Sequence, residues 1–311
     1  MAYQVCYQKL SELSTLVQSH GTFVLVFCIL NMVFSLVAIA ANLLVIRALW
    51  KTSSIPATIK KLFLSLAFSD LAVGMVVQLM FVIINAVMLR MASIGNKNFA
   101  TFCPTILSVF YFLFSLLCCA SLLNITVIAV DRLLAISLHL RYHDLVTAKR
   151  INLILASLWL TSGGVGAMFI LFRTINNTVG AAFQALGLLL MTAAYIRIYK
   201  VVKYHQNQIQ SQLHSQNAQA MDLLRQRKSA LNALFVYLVF LACYVPLFLS
   251  LLLLLTVTVE IPLLLFDHAS VFLIFLNSSL NPILYCWRYH EIRRAVKSVL
   301  KRVFCRDNND T

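Results

Sequence analysis

Seven apolar runs, each about as long as a bilayer crossing requires, follow one another along this 311-residue chain with few charges inside them. A hydrocarbon core about 30 Å thick is spanned by about 20 helical residues, and lipid tolerates no open strand edges. The runs are Thr22–Leu49, Leu62–Met88, Thr105–Ser137, Ile151–Phe172, Val179–Tyr204, Ala230–Thr256 and Leu263–Tyr285. Composition agrees: 61% of residues are hydrophobic and 11% charged, against about 25% charged in a soluble domain. The chain is expected to be an all-α membrane protein, a seven-transmembrane helix bundle with a short amphipathic cytoplasmic helix after the seventh span.

Basic residues fix the expected orientation, because cytoplasmic loops retain Lys and Arg. Of 25 Lys and Arg residues, 21 fall in four segments on one side; only Lys9, Arg90, Lys97 and Arg173 fall on the other. Residues 1–21 are therefore expected as an extracellular N-terminus, 22–287 as the membrane domain, and 288–311 as an amphipathic helix and cytoplasmic tail, in a multi-pass plasma-membrane protein. The net charge of +15 follows from this topology and suits anionic membrane lipid; nucleic acid is not an expected partner. Residues 1–21 are too polar for a secretory signal. Cys28, Cys118, Cys119, Cys243 and Cys286 lie in apolar stretches and read as packing residues.

Ionisable groups inside a span are costly and by default functional. Asp70 is the only carboxylate deep in a run, and Asp131 and Arg132 close the third. No metal-ligand spacing, phosphate-binding glycine loop or catalytic constellation is present in the sequence, so no enzyme is expected. Pro246 and Pro282 each remove a backbone hydrogen bond and are expected to act as hinges.

Taken in order, one polar signature per run, these residues resemble the rhodopsin-like G-protein-coupled receptors from about Phe23 to Cys305. The signatures are Asn42, Leu66–Asp70 (LAFSD), Asp131-Arg132-Leu133, Trp159, Tyr195, Cys243-Tyr244-Val245-Pro246 and Asn281-Pro282-Ile283-Leu284-Tyr285. The resemblance implies that Asp70, Ser121, Asn277, Asn281 and Asn42 share a polar core, where Asp70 and its neighbours hold either a sodium ion or a hydrogen-bonded cluster without one. It implies that Asp131, Arg132, Tyr195, Asn281, Pro282 and Tyr285 serve activation and docking of a heterotrimeric G protein, with arrestin and a receptor kinase as further partners.

Departures matter as much as matches. Leu133 stands where the family usually has Tyr, and Gln226 near a position where many members carry a carboxylate that pairs with the Arg. A weaker restraint on the inactive state, and hence appreciable basal signalling, is expected. Gly187 replaces the usual proline of the fifth helix, and Tyr244 the usual Trp of the sixth. The second outer loop is short and cysteine-free; Cys6 and Cys103 either pair with each other or remain free or otherwise partnered. Cys305 is either palmitoylated or unmodified. These features bring the chain nearest the melanocortin, adenosine and cannabinoid branch, although acidic residues on which the melanocortin site depends are missing.

By the same resemblance the ligand pocket is lined by Met80, Phe81, Phe114, Ser115, Cys118, Phe183, Tyr244, Leu247, Phe248, Leu251, Val271 and Phe275. Phe114 occupies the place of the aspartate that binds an ammonium in aminergic receptors, which argues against a simple amine. The lining suits an extracellular small-molecule or lipid-like ligand, with Ser115 and Asn85 as polar anchors. The alternatives are a seven-helix small-solute transporter or channel, and a receptor-like protein that does not signal.

Overall fold

The computed structural model describes residues 2–53, 55–94, 103–138, 142–171, 176–212 and 217–304, and every regular element among them is helical. Among these residues, seven helices are long and apolar enough to cross a membrane: Ser11–Lys51, Ala57–Met91, Thr105–Ala135, Ala148–Met168, Gly180–Val201, Phe235–Thr256 and Ile261–Trp287. These are the seven expected runs with shifted ends. Helices satisfy their own backbone groups in lipid, so the outer faces can be wholly apolar: Leu153, Leu160 and Leu189 are 72%, 77% and 67% exposed. Exposed apolar surface of this extent belongs against hydrocarbon.

The third span sits among the second, fourth and fifth, while the first packs on the second and seventh and the sixth lies between the fifth and seventh. Buried polar groups tie neighbours together. Asn42 Nδ2 donates to the Ser278 carbonyl at 3.0 Å, Ser279 Oγ to the Phe34 carbonyl at 2.9 Å, and Trp159 Nε1 to Ser65 Oγ at 3.1 Å. The first helix runs far past the membrane-spanning length, from Ala2 to Lys51, and breaks its helical geometry at His20. Beyond that break Leu16 and Val17 pack with Met88, Leu89, Leu107, Leu264 and Leu265, so a segment expected only as an N-terminal tail covers the end of the bundle opposite Arg132.

Two local irregularities have identifiable causes. The second span contains a π-helical turn, Val73–Gln78. Ser35 Oγ of the first span donates to the Gly74 carbonyl at 2.9 Å, and a Cβ on Gly74 would lie 3.1 Å from the Ala38 Cβ. In the fifth span a Cβ on Gly187 would fall 2.5 Å from Leu122 Cδ2 and 2.9 Å from its Cγ. The missing proline is thus replaced by a seat for Leu122 of the third span. Gly187→Ala should overpack that contact and cost about 1–3 kcal/mol. Heating the purified protein would show a lowered melting temperature, restored in part by adding Leu122→Ala; an unchanged midpoint would contradict the seat.

After the seventh span the chain is extended at Tyr289 and resumes as the helix His290–Phe304. Its Ile292, Ala295, Val296 and Val299 are buried in one cluster with Val45, Ile46 and Leu49 of the first span. The apolar face expected to meet the membrane leaflet is therefore packed on protein, and the exposed face carries Arg293, Arg294 and Lys297.

Candidate functional site

At the end of the bundle nearest Lys51, the third span brings Asp131 and Arg132 to the helix surface. Arg132 Nε donates to Asp131 Oδ2 at 3.0 Å, and the guanidinium makes a second, closer contact with the same oxygen. The other oxygen of Asp131 accepts from Tyr142 Oη at 2.8 Å. Tyr142 belongs to the short helix Tyr142–Leu145, and nothing in the sequence marks it. Burial, then its hydrogen bond to Asp131, pushes the Tyr142 phenol up from 10 to about 12. The raised value means that the protonated donor is fully present below pH 10 and is lost only as pH rises through about 12.

Arg132 lines a cavity of about 30 Å³ together with Tyr195, Tyr285 and Tyr289 from the fifth span, the seventh and its end. This volume holds about one or two waters, and the buried Tyr285 hydroxyl has no protein partner. The Tyr285 ring stays in place against Phe63, centroids 4.9 Å apart. Three residues expected to act together thus converge on one small space. Pro282 lies buried three residues before Tyr285 in the same helix.

One layer further into the membrane, Asp70 is fully buried. Ser121 Oγ donates to Oδ1 at 3.1 Å and Asn281 Nδ2 to Oδ2 at 2.8 Å. Ser278 also hydrogen-bonds to this carboxylate, a residue that sequence reasoning passes over in favour of its neighbour Asn277. Asn277 is buried with neither side-chain atom bonded, and Asn42 reaches the Ser278 carbonyl rather than Asp70. The Tyr244 hydroxyl hydrogen-bonds to Ser121, extending the network to the sixth span. The oxygen donors of Asp70, Ser121 and Ser278 are of the type a hard cation takes, and the Asn277 carboxamide next to Ser278 in sequence is buried without a partner. Among the described residues no cluster of His, Cys, Asp or Glu is arranged for a transition metal.

The expected pocket residues form two adjoining clusters. Phe81, Phe275, Met80, Phe114 and Val271 pack together with Phe110; the rings of Phe114 and Phe275 meet edge-on at 5.8 Å and those of Phe81 and Phe275 at 5.5 Å. Tyr244 and Leu247 lie in the second, with Cys118, Phe248 and Leu251 against it. Phe114 and Val271 touch both. Ser115 is buried and Phe183 half-buried, and neither belongs to these clusters. Asn85, the other expected anchor, uses its Nδ2 on the Phe81 carbonyl at 2.8 Å and leaves Oδ1 without a partner. Beside Phe81 sits His268, at 4.9 Å, with its Nε2 also unpartnered. Pro246, expected as a hinge, lies just beyond Tyr244 inside the sixth helix, and Gln184 Nε2 of the fifth span donates to the Tyr244 carbonyl at 2.8 Å. The side chains of Cys6, Cys103 and Gln226, and all of Cys305, lie outside the described residues.

Comparison with known proteins matches residues 41–183 and 177–285 to the 7 transmembrane receptor (rhodopsin family) model. Melanocortin receptor 5 of Pan troglodytes is 28% identical over 276 residues, covering 85% of this chain and 81% of the relative. Melanocortin receptor 5 of Rattus norvegicus is 27% identical over 305 residues, 94% of this chain and 88% of the relative. Melanocortin receptor 3 of Homo sapiens is 25% identical, covering 85% and 82%. Seven apolar helices, a buried carboxylate bridged to the seventh span, and an Asp-Arg pair opening onto two tyrosines occur together in a chain whose matched segment runs from Ala41 to Tyr285. This protein is a member of the rhodopsin family of seven-transmembrane receptors.

Proposed function

We propose that this receptor binds an extracellular, non-aminergic ligand with a largely apolar body and passes the signal to a heterotrimeric G protein at its cytoplasmic, Arg132-bearing end. The convergence of Arg132, Tyr195 and Tyr285 on one cavity supports the second half of the reading. When the sixth helix moves outward about Pro246, Arg132 leaves Asp131 for the G protein and the two tyrosines occupy the space beneath it. Arrestin and a receptor kinase would act at the same face, with the exposed basic side of His290–Phe304 near anionic lipid. The Phe81, Phe114 and Phe275 cluster supports an apolar ligand, because these rings pack on one another and on Met80, Phe110 and Val271. The relatives are named for melanocortin; a lipid-like ligand instead suits this lining, with Ser115 and the unpartnered Asn85 oxygen as polar anchors. A ligand shifts the equilibrium only by its differential affinity for the two states.

Asp70, Ser121 and Ser278 would hold a sodium ion in the inactive state, supplying the charge partner that a buried carboxylate requires. Screening small apolar ligands in cells that report on several G proteins, followed by nucleotide exchange on purified G protein, tests the reading. Ligand-dependent exchange is expected. Solute flux through liposomes without any exchange would overturn it.

Tyr142→Phe removes the donor to one oxygen of the buried Asp131. It is expected to loosen the Asp131-Arg132 pair and raise agonist-free exchange by about two- to tenfold. The phenol remains protonated well past neutrality, so the difference between parent and variant should be flat from about pH 6 to 9. A difference that vanished within that window would contradict the assignment.

A further inference from the structure

We infer that Tyr237 is a positioning residue that clasps the fifth span and keeps the Tyr195 ring stacked at the fifth-sixth interface, setting the basal output of this receptor. The inference rests on the reading of the Arg132 cavity given above. Tyr237 lies on the sixth span, is 8% exposed, and grips two successive turns of the fifth. Its ring stacks on that of Tyr195, with centroids 4.8 Å apart and planes at 22°. Its hydroxyl donates to Thr192 Oγ1 at 2.8 Å. Thr192 in turn donates its own proton to the Leu188 carbonyl at 2.6 Å. The polarity of the clasp is therefore fixed: Thr192 has no second proton to give, and Tyr237 must be the donor.

Seven residues further along the sixth span, the Tyr244 carbonyl accepts from Gln184, which lies eight residues back along the fifth. Two turns separate the bonds on each helix, and the register is that of an antiparallel pair. The sixth span thus cannot leave the fifth at the level of Tyr237 without breaking the lower bond and unstacking the rings. Tyr195 also lines the cavity shared with Arg132 and Tyr285, whose 30 Å³ admits water but no phenol ring. A Tyr195 ring stacked on Tyr237 forms a wall of that space and must unstack before it can swing further in beneath Arg132. Neither Tyr237 nor Thr192 carries a charge, so the clasp is a neutral hydrogen bond and a ring stack.

The test uses the full chain in lipid nanodiscs with purified heterotrimeric G protein and no ligand, reading nucleotide exchange. Tyr237→Phe keeps the stack and loses only the hydrogen bond; Thr192→Val loses the same bond from the other side. Each is expected to raise exchange about two- to tenfold. The double variant should not exceed Thr192→Val, because the bond between the two side chains can be lost only once and Thr192→Val also gives up the bond to the Leu188 carbonyl. Tyr237→Leu, which also removes the stack, should exceed both. Labels introduced at the exposed Leu153 and Leu238, on the fourth and sixth spans, provide a readout independent of the G protein. The longer separation should gain population in Tyr237→Phe. Unchanged distances in all variants, or a double variant equal to the product of the singles, would overturn the clasp. A shifted distance without increased exchange supports the clasp and instead refutes the coupling role of the cavity.

Discussion

Arg132→Ala is expected to abolish agonist-free nucleotide exchange, lowering it about 10- to 150-fold to the level of receptor-free discs. A charge-assisted hydrogen bond from this side chain to a docked partner contributes about 1.5–3 kcal/mol, and about 1.4 kcal/mol is tenfold. The guanidinium is well placed to reach such a partner, since its side chain is 21% exposed, whereas the Asp131 it leaves is 4% exposed and retains Tyr142 as a donor. Truncation has a second consequence, because Asp131 loses its cation and becomes a buried, partly compensated charge. Removing one member of a buried pair costs about 3–5 kcal/mol, so lowered expression is expected too. Exchange must therefore be normalised to folded receptor. Arg132→Lys separates the two effects: it keeps the charge beside Asp131 and loses the planar fork, so folding should recover more than exchange. Parental exchange per folded Arg132→Ala receptor would exclude the docking role.

Asp70→Leu is expected to be the most damaging single change to stability. Three buried groups, on Ser121, Asn281 and Ser278, direct hydrogen bonds at this carboxylate. An apolar replacement strands all three, at about 1–3 kcal/mol each, which together rival the whole stability of a typical folded domain. Asp70→Asn should be far milder, since one acceptor oxygen survives and the serine hydroxyls can rotate to accept from the new amide. The same pair of variants tests the ion. Replacing potassium with sodium at constant ionic strength should raise the melting temperature of the parent and leave Asp70→Asn unmoved. The same parental midpoint in potassium and in sodium would remove the sodium site, and a parental midpoint in Asp70→Leu would remove the network.

Periodicity and charge make much of this arrangement legible in the chain order. The seven runs became seven helices because lipid leaves the backbone no other way to satisfy itself. Asp70 and Arg132 stood out because ionisable groups in such runs are rare. What the chain order did not disclose depends on partners that are distant in sequence and chemically ordinary. Tyr142 is one tyrosine among eleven until it meets Asp131. Ser278 and Asn277 are adjacent, and only the rotation of the seventh helix decides which reaches Asp70. The apolar face of His290–Phe304 predicts burial but cannot say whether lipid or the first span provides it.

The π-helical turn at Val73–Gln78 has a consequence for numbering as well as shape. A turn that accommodates one extra residue rotates everything beyond it by about 100° relative to an uninterrupted α-helix. Asp70 lies before the turn and Phe81 and Asn85 after it, so the angle between Asp70 and these two side chains differs by about 100° from that in an uninterrupted α-helix. In the folded protein it is Phe81 that reaches His268 and Phe275. Relatives lacking this irregularity would present the preceding residue there. An ungapped alignment of the second span with a relative that lacks the turn would therefore equate side chains that point in different directions, and ligand selectivity inferred from it would be displaced by one position.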